Sequence, residues 1–160
     1  TRRSSDLAKG QGLYVSRYLH GRLQAARPLP VSHYRDGDVD PQLAPDGSFI
    51  VFASDHRLPG DSKDHLFIAF HRGGVWGAVA PIRYLGDDAH GYSTDYLPHL
   101  GPEQSTLYFT SDRNAPVAPY PHAPEQSRAY LLRVEQWDNG NLNAWSLPLA
   151  PLLDAAKSAG

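Results

Sequence analysis

Apolar residues along this chain come in short runs, not at helical spacing. "GLYVSRYL" (12–19), "SFIVFAS" (48–54), "HLFIAFH" (65–71), "TLYFTS" (106–111) and "AYLLRV" (129–134) are rich in Val, Ile, Tyr and Phe. Each run predicts a β-strand. Weaker strands are expected in "WGAVAPIRYL", which starts at Trp76, and "LNAWSLPLAPL", which starts at Leu142. Only the tail "PLLDAAKSAG" (151–160) suits a helical turn or two. The pattern predicts an all-β chain.

The runs repeat. Pro41, Pro45, Phe52, Ser54 and Asp55 recur 57 residues later as Pro98, Pro102, Phe109, Ser111 and Asp112. "LYVS" (13–16) returns as "LFIA" (66–69) and as "YLLR" (130–133). A Gly-, Asn- or His-rich hairpin follows each: "LHGR", "HRGGVW" and "WDNGN". A strand ending near Pro28, Pro81 or Pro148 comes next. Four strands in a period of roughly fifty residues is the signature of propeller blades. Asp46-Gly47 suits a two-residue hairpin with positive φ at both central positions. Glu103-Gln104 does not, so a looser turn or one of another type is expected there. Asp55 and Asp112 are expected to bond backbone amides after the second strand, with Arg57 or Arg113 nearby.

"PQLAPDGSFIVFASDHR" (41–57) resembles the TolB-type β-propeller repeat, a WD-like module that runs Pro-x-x-Ser-Pro-Asp-Gly, apolar strand, Ser-Asp-Arg. Ala44 stands in place of Ser, and one extra residue precedes Arg57. "PHLGPEQSTLYFTSDR" (98–113) is a weaker match. The resemblance implies a propeller fragment of four-stranded antiparallel blades. Residues 12–32 would give two outer strands of a partial blade, 41–85 and 97–150 complete blades, and 151–160 a tail. It also implies an extracytoplasmic, periplasmic setting in bacteria. A closed propeller needs about four blades, so about two and a half leave faces and edges uncovered. The remaining blades are expected from the same precursor or from another chain. The lack of any methionine fits a piece of something longer.

Composition narrows function more than it defines it. The net charge of −2 argues against nucleic-acid binding. No apolar run is long enough for a membrane-spanning helix. The absence of cysteine excludes disulfides and thiolate chemistry. No zinc-binding helix, nucleophile elbow or phosphate loop occurs. Ser93, His90 and Asp95 lie within six residues of one loop, whereas catalytic triads draw on distant segments. The chain is read as non-enzymatic.

Charge is distributed unequally between the two ends of the predicted strands. The loops at 33–40, 55–63, 86–96 and 112–127 carry Asp36, Asp38, Asp40, Asp55, Asp61, Asp87, Asp88, Asp95, Asp112 and Glu125, against Arg35, Arg57, Lys63 and Arg113. The opposite hairpins carry few acids, chiefly Asp46, Glu103 and Asp138. An acidic rim attracts a basic protein or peptide segment. Candidate contact residues are Asp36, Asp38, Asp40, His90, Asp95, Tyr120 and His122. The last two lie in a Pro-rich loop. Asp36, Asp38 and Asp40 also admit a calcium ion, although the EF-hand pattern is incomplete. The structural turn motif comprises Asp46, Gly47, Asp55, Arg57, Asp112 and Arg113. The leading expectation is a protein- or peptide-binding propeller module. The alternatives are the substrate-gating propeller of a prolyl oligopeptidase-like hydrolase whose catalytic domain lies elsewhere, and a calcium- or sugar-binding lectin-like propeller.

Overall fold

A computed structural model describes residues 11–83, 93–113, 128, 132 and 142–158. It is mostly β. Two short pairs come first: β1 (Tyr14–Val15) with β4 (Arg27–Pro28), and β2 (Tyr18–Leu19) with β3 (Arg22–Leu23). They form one interrupted antiparallel hairpin. His20 and Gly21 turn its tip, both with positive φ.

The first full sheet is a four-stranded antiparallel meander: β5 (Asp38–Leu43), β6 (Phe49–Ser54), β7 (His65–Arg72) and β8 (Val75–Pro81). The second is three-stranded: β9 (Asp95–Leu100), β10 (Thr106–Ser111) and β11 (Asn143–Pro148), with β10 in the middle. One helix, α1 (Leu149–Ser158), follows directly.

The two sheets are built to one register. Asp38 opposes Ser54, Val39 opposes Ala53, Gln42 opposes Val51 and Leu43 opposes Ile50. Moved 57 residues along, each of these pairs recurs in β9 and β10: Asp95 with Ser111, Tyr96 with Thr110, His99 with Tyr108 and Leu100 with Leu107. Both first strands bulge at the same place, and the bulged residues Asp40 and Leu97 share a φ of 51°. The two sheets thus share these four pairings at an offset of 57 residues.

The turns match as well, which corrects the expectation for Asp46-Gly47. In the first sheet, the Ala44 N–H donates to Phe49 O and the Gly47 N–H donates to Ala44 O. In the second, Gly101 N–H and Gln104 N–H donate to Thr106 O and Gly101 O. Only one turn residue is left-handed in each, Gly47 at 73° and Gln104 at 54°. The turn is thus longer than the two-residue form expected at Asp46-Gly47. Asp46 braces it by accepting from the Ser48 amide and hydroxyl.

The third strand of the second sheet departs from the sequence reading. Residues 129–134 were expected beside 106–111. Instead β11 pairs directly with β10 from Thr106–Pro148 to Ser111–Asn143. Of 129–134 only Leu132 is described, and it is helical. By register, β11 is the counterpart of β7: Phe52 opposes Phe67, as Phe109 opposes Trp145. The helix α1 follows where the first sheet continues into a fourth strand.

Alternation along the strands gives each sheet two faces. The back of the first sheet carries Ile50, Phe52, Phe67 and Ala69, which pack with Leu13 and Leu29 of the N-terminal segment. Its front carries Val51, Ala53, Leu66 and Ile68, which pack with Leu100, Leu107 and Phe109 of the second sheet and with Leu149. β6 is consequently buried at all six positions, as a strand covered on both faces must be. A cleft of about 310 Å³ lies between the end of β8 and α1, lined by apolar groups apart from Arg83.

Two changes test this packing. Phe52→Ala, at 0% exposure, should lower unfolding free energy in urea titration by about 3–5 kcal/mol. Gln104→Gly relieves a left-handed non-glycine residue and should raise stability by up to about 1 kcal/mol.

Candidate functional site

The antiparallel topology brings the segments before β5 and β9 and the connection between β6 and β7 to one end of the sheets. Asp38 and Asp95 open the inner strands there, and each is 1% exposed. A buried carboxylate must be paired, and an arginine from the segment after the second strand reaches back to each.

Arg57 clasps Asp38 with both limbs: Nε donates to Oδ1 at 2.7 Å and Nη2 to Oδ2 at 2.6 Å. The Ser32 hydroxyl adds a third bond at 2.6 Å. Nη2 also reaches Val31 O at 2.8 Å and Asp36 Oδ2 at 3.0 Å. The guanidinium lies 5.2 Å from the Phe52 ring centroid, on the edge of the back-face core. The second sheet repeats this arrangement. Arg113 Nη2 donates to Asp95 Oδ2 at 2.9 Å, its Nε donates to Ser111 Oγ at 3.2 Å, and its guanidinium lies 5.4 Å from the Phe109 centroid. Ser93 Oγ approaches Asp95 Oδ2 at 3.4 Å. Asp95 Oδ1 is buried and has no hydrogen-bond partner among the described residues.

The candidate residues therefore divide. Asp38 and Asp95 hold arginines inside the protein. Asp36 accepts from the His33 amide and from Arg57. Asp40 turns to the neighbouring sheet, where its Oδ2 accepts from the Leu97 amide at 3.3 Å. Asp36, Asp38 and Asp40 thus do not converge, and among the described residues no three His, Asp or Glu side chains are grouped to hold a metal ion. Asp112 accepts from the Thr94 amide at 2.7 Å, ahead of β9 and not in its own turn. Asp55 pairs with the His56 ring. Asp46 and Gly47 lie at the opposite end of the sheets. His90, Tyr120 and His122 lie outside the described residues.

Sequence reasoning overlooked Asp64, one residue beyond the acidic loop as it was delimited. Its carboxyl is pushed up from the ordinary aspartate value, first by burial and then by the charges of Asp55 and Asp40. Asp61 is lowered instead, chiefly by the Lys63 amide that it accepts, with help from His65. The loop packs tightly from beneath. Gly37 has a φ of 67°, and a Cβ there would stand 1.8 Å from Asp55 Oδ1.

No family model, curated protein or solved structure matches the chain. No helix among the described residues is long and apolar enough to cross a membrane.

The pairs predict a hierarchy. Arg57→Met strands the buried Asp38 carboxylate and should cost about 3–5 kcal/mol, read by chemical denaturation. Asp38→Leu combined with Arg57→Met should recover most of that loss. Asp64 carries the opposite sign. Its folded pKa is raised, so the ionised form opposes folding, and stability falls as pH rises from below the ordinary aspartate value through the raised one. Asp64→Asn should therefore raise the melting temperature near pH 7. The gain should vanish below about pH 3.8.

Proposed function

We propose that this chain is a non-enzymatic binding module of TolB-type propeller blades, and that its acidic loop end takes a basic peptide segment of another protein. The observation that carries the reading is that Asp40 and Asp55 lie near Asp64, whose carboxyl is pushed up first by burial and then by their charges. Two of the four Arg and Lys residues at that end, Arg57 and Arg113, are held by Asp38 and Asp95. Like charges held together at a half-covered surface are relieved by an incoming Lys or Arg, which gains attraction from all of them. The blade assignment draws support from the repeated register, the shared bulge and the four-stranded meander. The exposed Tyr14, Tyr18, Leu19 and Leu23 of the N-terminal hairpin suit contact with further strands on that side. An extracytoplasmic setting accompanies the reading.

The test is titration calorimetry of the chain with a lysine-rich peptide at low salt. Asp40→Asn, Asp55→Asn and Asp64→Asn together should weaken binding at least tenfold, and wild-type binding should weaken with salt as charge attraction requires. Asp46→Asn, at the opposite end, should leave it unchanged. Equal binding by wild type and the triple variant would remove the acidic cluster from the account.

A further inference from the structure

The register-by-register match allows the front faces of the two sheets to be compared position by position. In the first sheet the front carries Phe49, Val51 and Ala53 on β6, opposite Phe70, Ile68 and Leu66 on β7. All but the partly buried Phe70 are at most 8% exposed, because the second sheet covers them. In the second sheet the same positions are Thr106, Tyr108 and Thr110 on β10, opposite Pro148, Ser146 and Ala144 on β11. Six apolar side chains have become three hydroxyl-bearing residues of β10, a serine, an alanine and a proline. Tyr108 is 42% exposed, and Ala144, Ser146 and Pro148 are exposed as well.

The back face does not change character. Leu107, Phe109, Trp145 and Leu147 stand where the first sheet has Ile50, Phe52, Phe67 and Ala69, and they face the first sheet's core. The loss of apolar character is thus confined to the side turned away from the stack.

A second observation points the same way. The first sheet is tied to the second by Asp40, whose carboxylate accepts the Leu97 amide at the matching bulge. The residue in Asp40's place in the second sheet is Leu97 itself, 54% exposed, and its side chain has no acceptor to offer a third sheet.

We propose that the front face of the second sheet is a terminal face: it meets water, no further sheet packs on it, and the stack is open there. Repeat arrays end in this manner, with a polar outer face on the last unit. Association through this face would bury hydroxyls for little apolar gain. The inference does not depend on the peptide-binding reading. For any ring of sheets that includes this chain, it locates the seam.

The test uses the full chain carrying Ala144→Lys and Ser146→Lys together, both exposed positions of that face, with Ala53→Lys as the inward-facing control. A water-facing position tolerates lysine, so the double variant should melt within about 2 °C of wild type. Its sedimentation velocity should match wild type at every concentration, whereas Ala53→Lys should unfold. A larger loss of melting temperature, or loss of an assembly that wild type forms, would overturn the proposal. A complementary graft places the first sheet's residues on the second: Thr106→Phe, Tyr108→Val, Thr110→Ala, Ala144→Leu and Ser146→Ile. It should create concentration-dependent association absent from wild type. A folded graft that remains monomeric would also overturn the proposal. If the graft does not fold, the lysine pair decides alone.

Discussion

The constraint on which this fold depends is that β6 has no face left for water. All six of its residues are buried, so the first sheet exists only while something covers both sides. The N-terminal segment supplies Leu13 and Leu29 to one side. The second sheet supplies Leu100, Leu107 and Phe109 to the other, with Leu149 from the start of the helix. Neither cover is a complete copy of the sheet it meets. The arrangement is a central layer between two unequal partners, with its largest fully buried side chain, Phe52, at 0% exposure.

Charge follows from that layering. The inner strands begin with Asp38 and Asp95 because a buried carboxylate can anchor an arginine returning from the next turn. The same arginine shields the rim of the aromatic core. The cost of desolvating both charges is offset only when the geometry is good and other donors join in. Asp38 meets that condition with three bonds, whereas Asp95 Oδ1 finds none among the described residues. Each pair sets one guanidinium against one carboxylate, so the charge left at the end of the sheets is carried by the other side chains there.

Much of the β architecture was legible in the sequence because it is written in local terms. Apolar runs located most of the strands, and the 57-residue echo matches the offset between the pairings of the two sheets. What the sequence concealed was non-local. The 31 residues from 112 to 142 separate β10 from its partner, and the apolar string 129–134 within them resembled the missing strand better than "NAWSLP" does. Gln104 hid its left-handed backbone because no glycine marks it. The role of Asp38 could not be read from "DGDVD", since the arginine that claims it lies 19 residues away. The acidic end was visible in outline. Asp64 was passed over because its environment comes from Asp40 and Asp55, which only folding brings near.

Gly37 holds the acidic end in its shape. The backbone there passes so close beneath Asp55 that a single methyl group would collide with the carboxylate. The spacing of the surface charges is therefore fixed from below, by the thickness of one residue, and not by the charged side chains themselves. A protein that arranges its surface field in this way can alter it without changing one ionisable group, by adding a carbon atom where none of the charges reside.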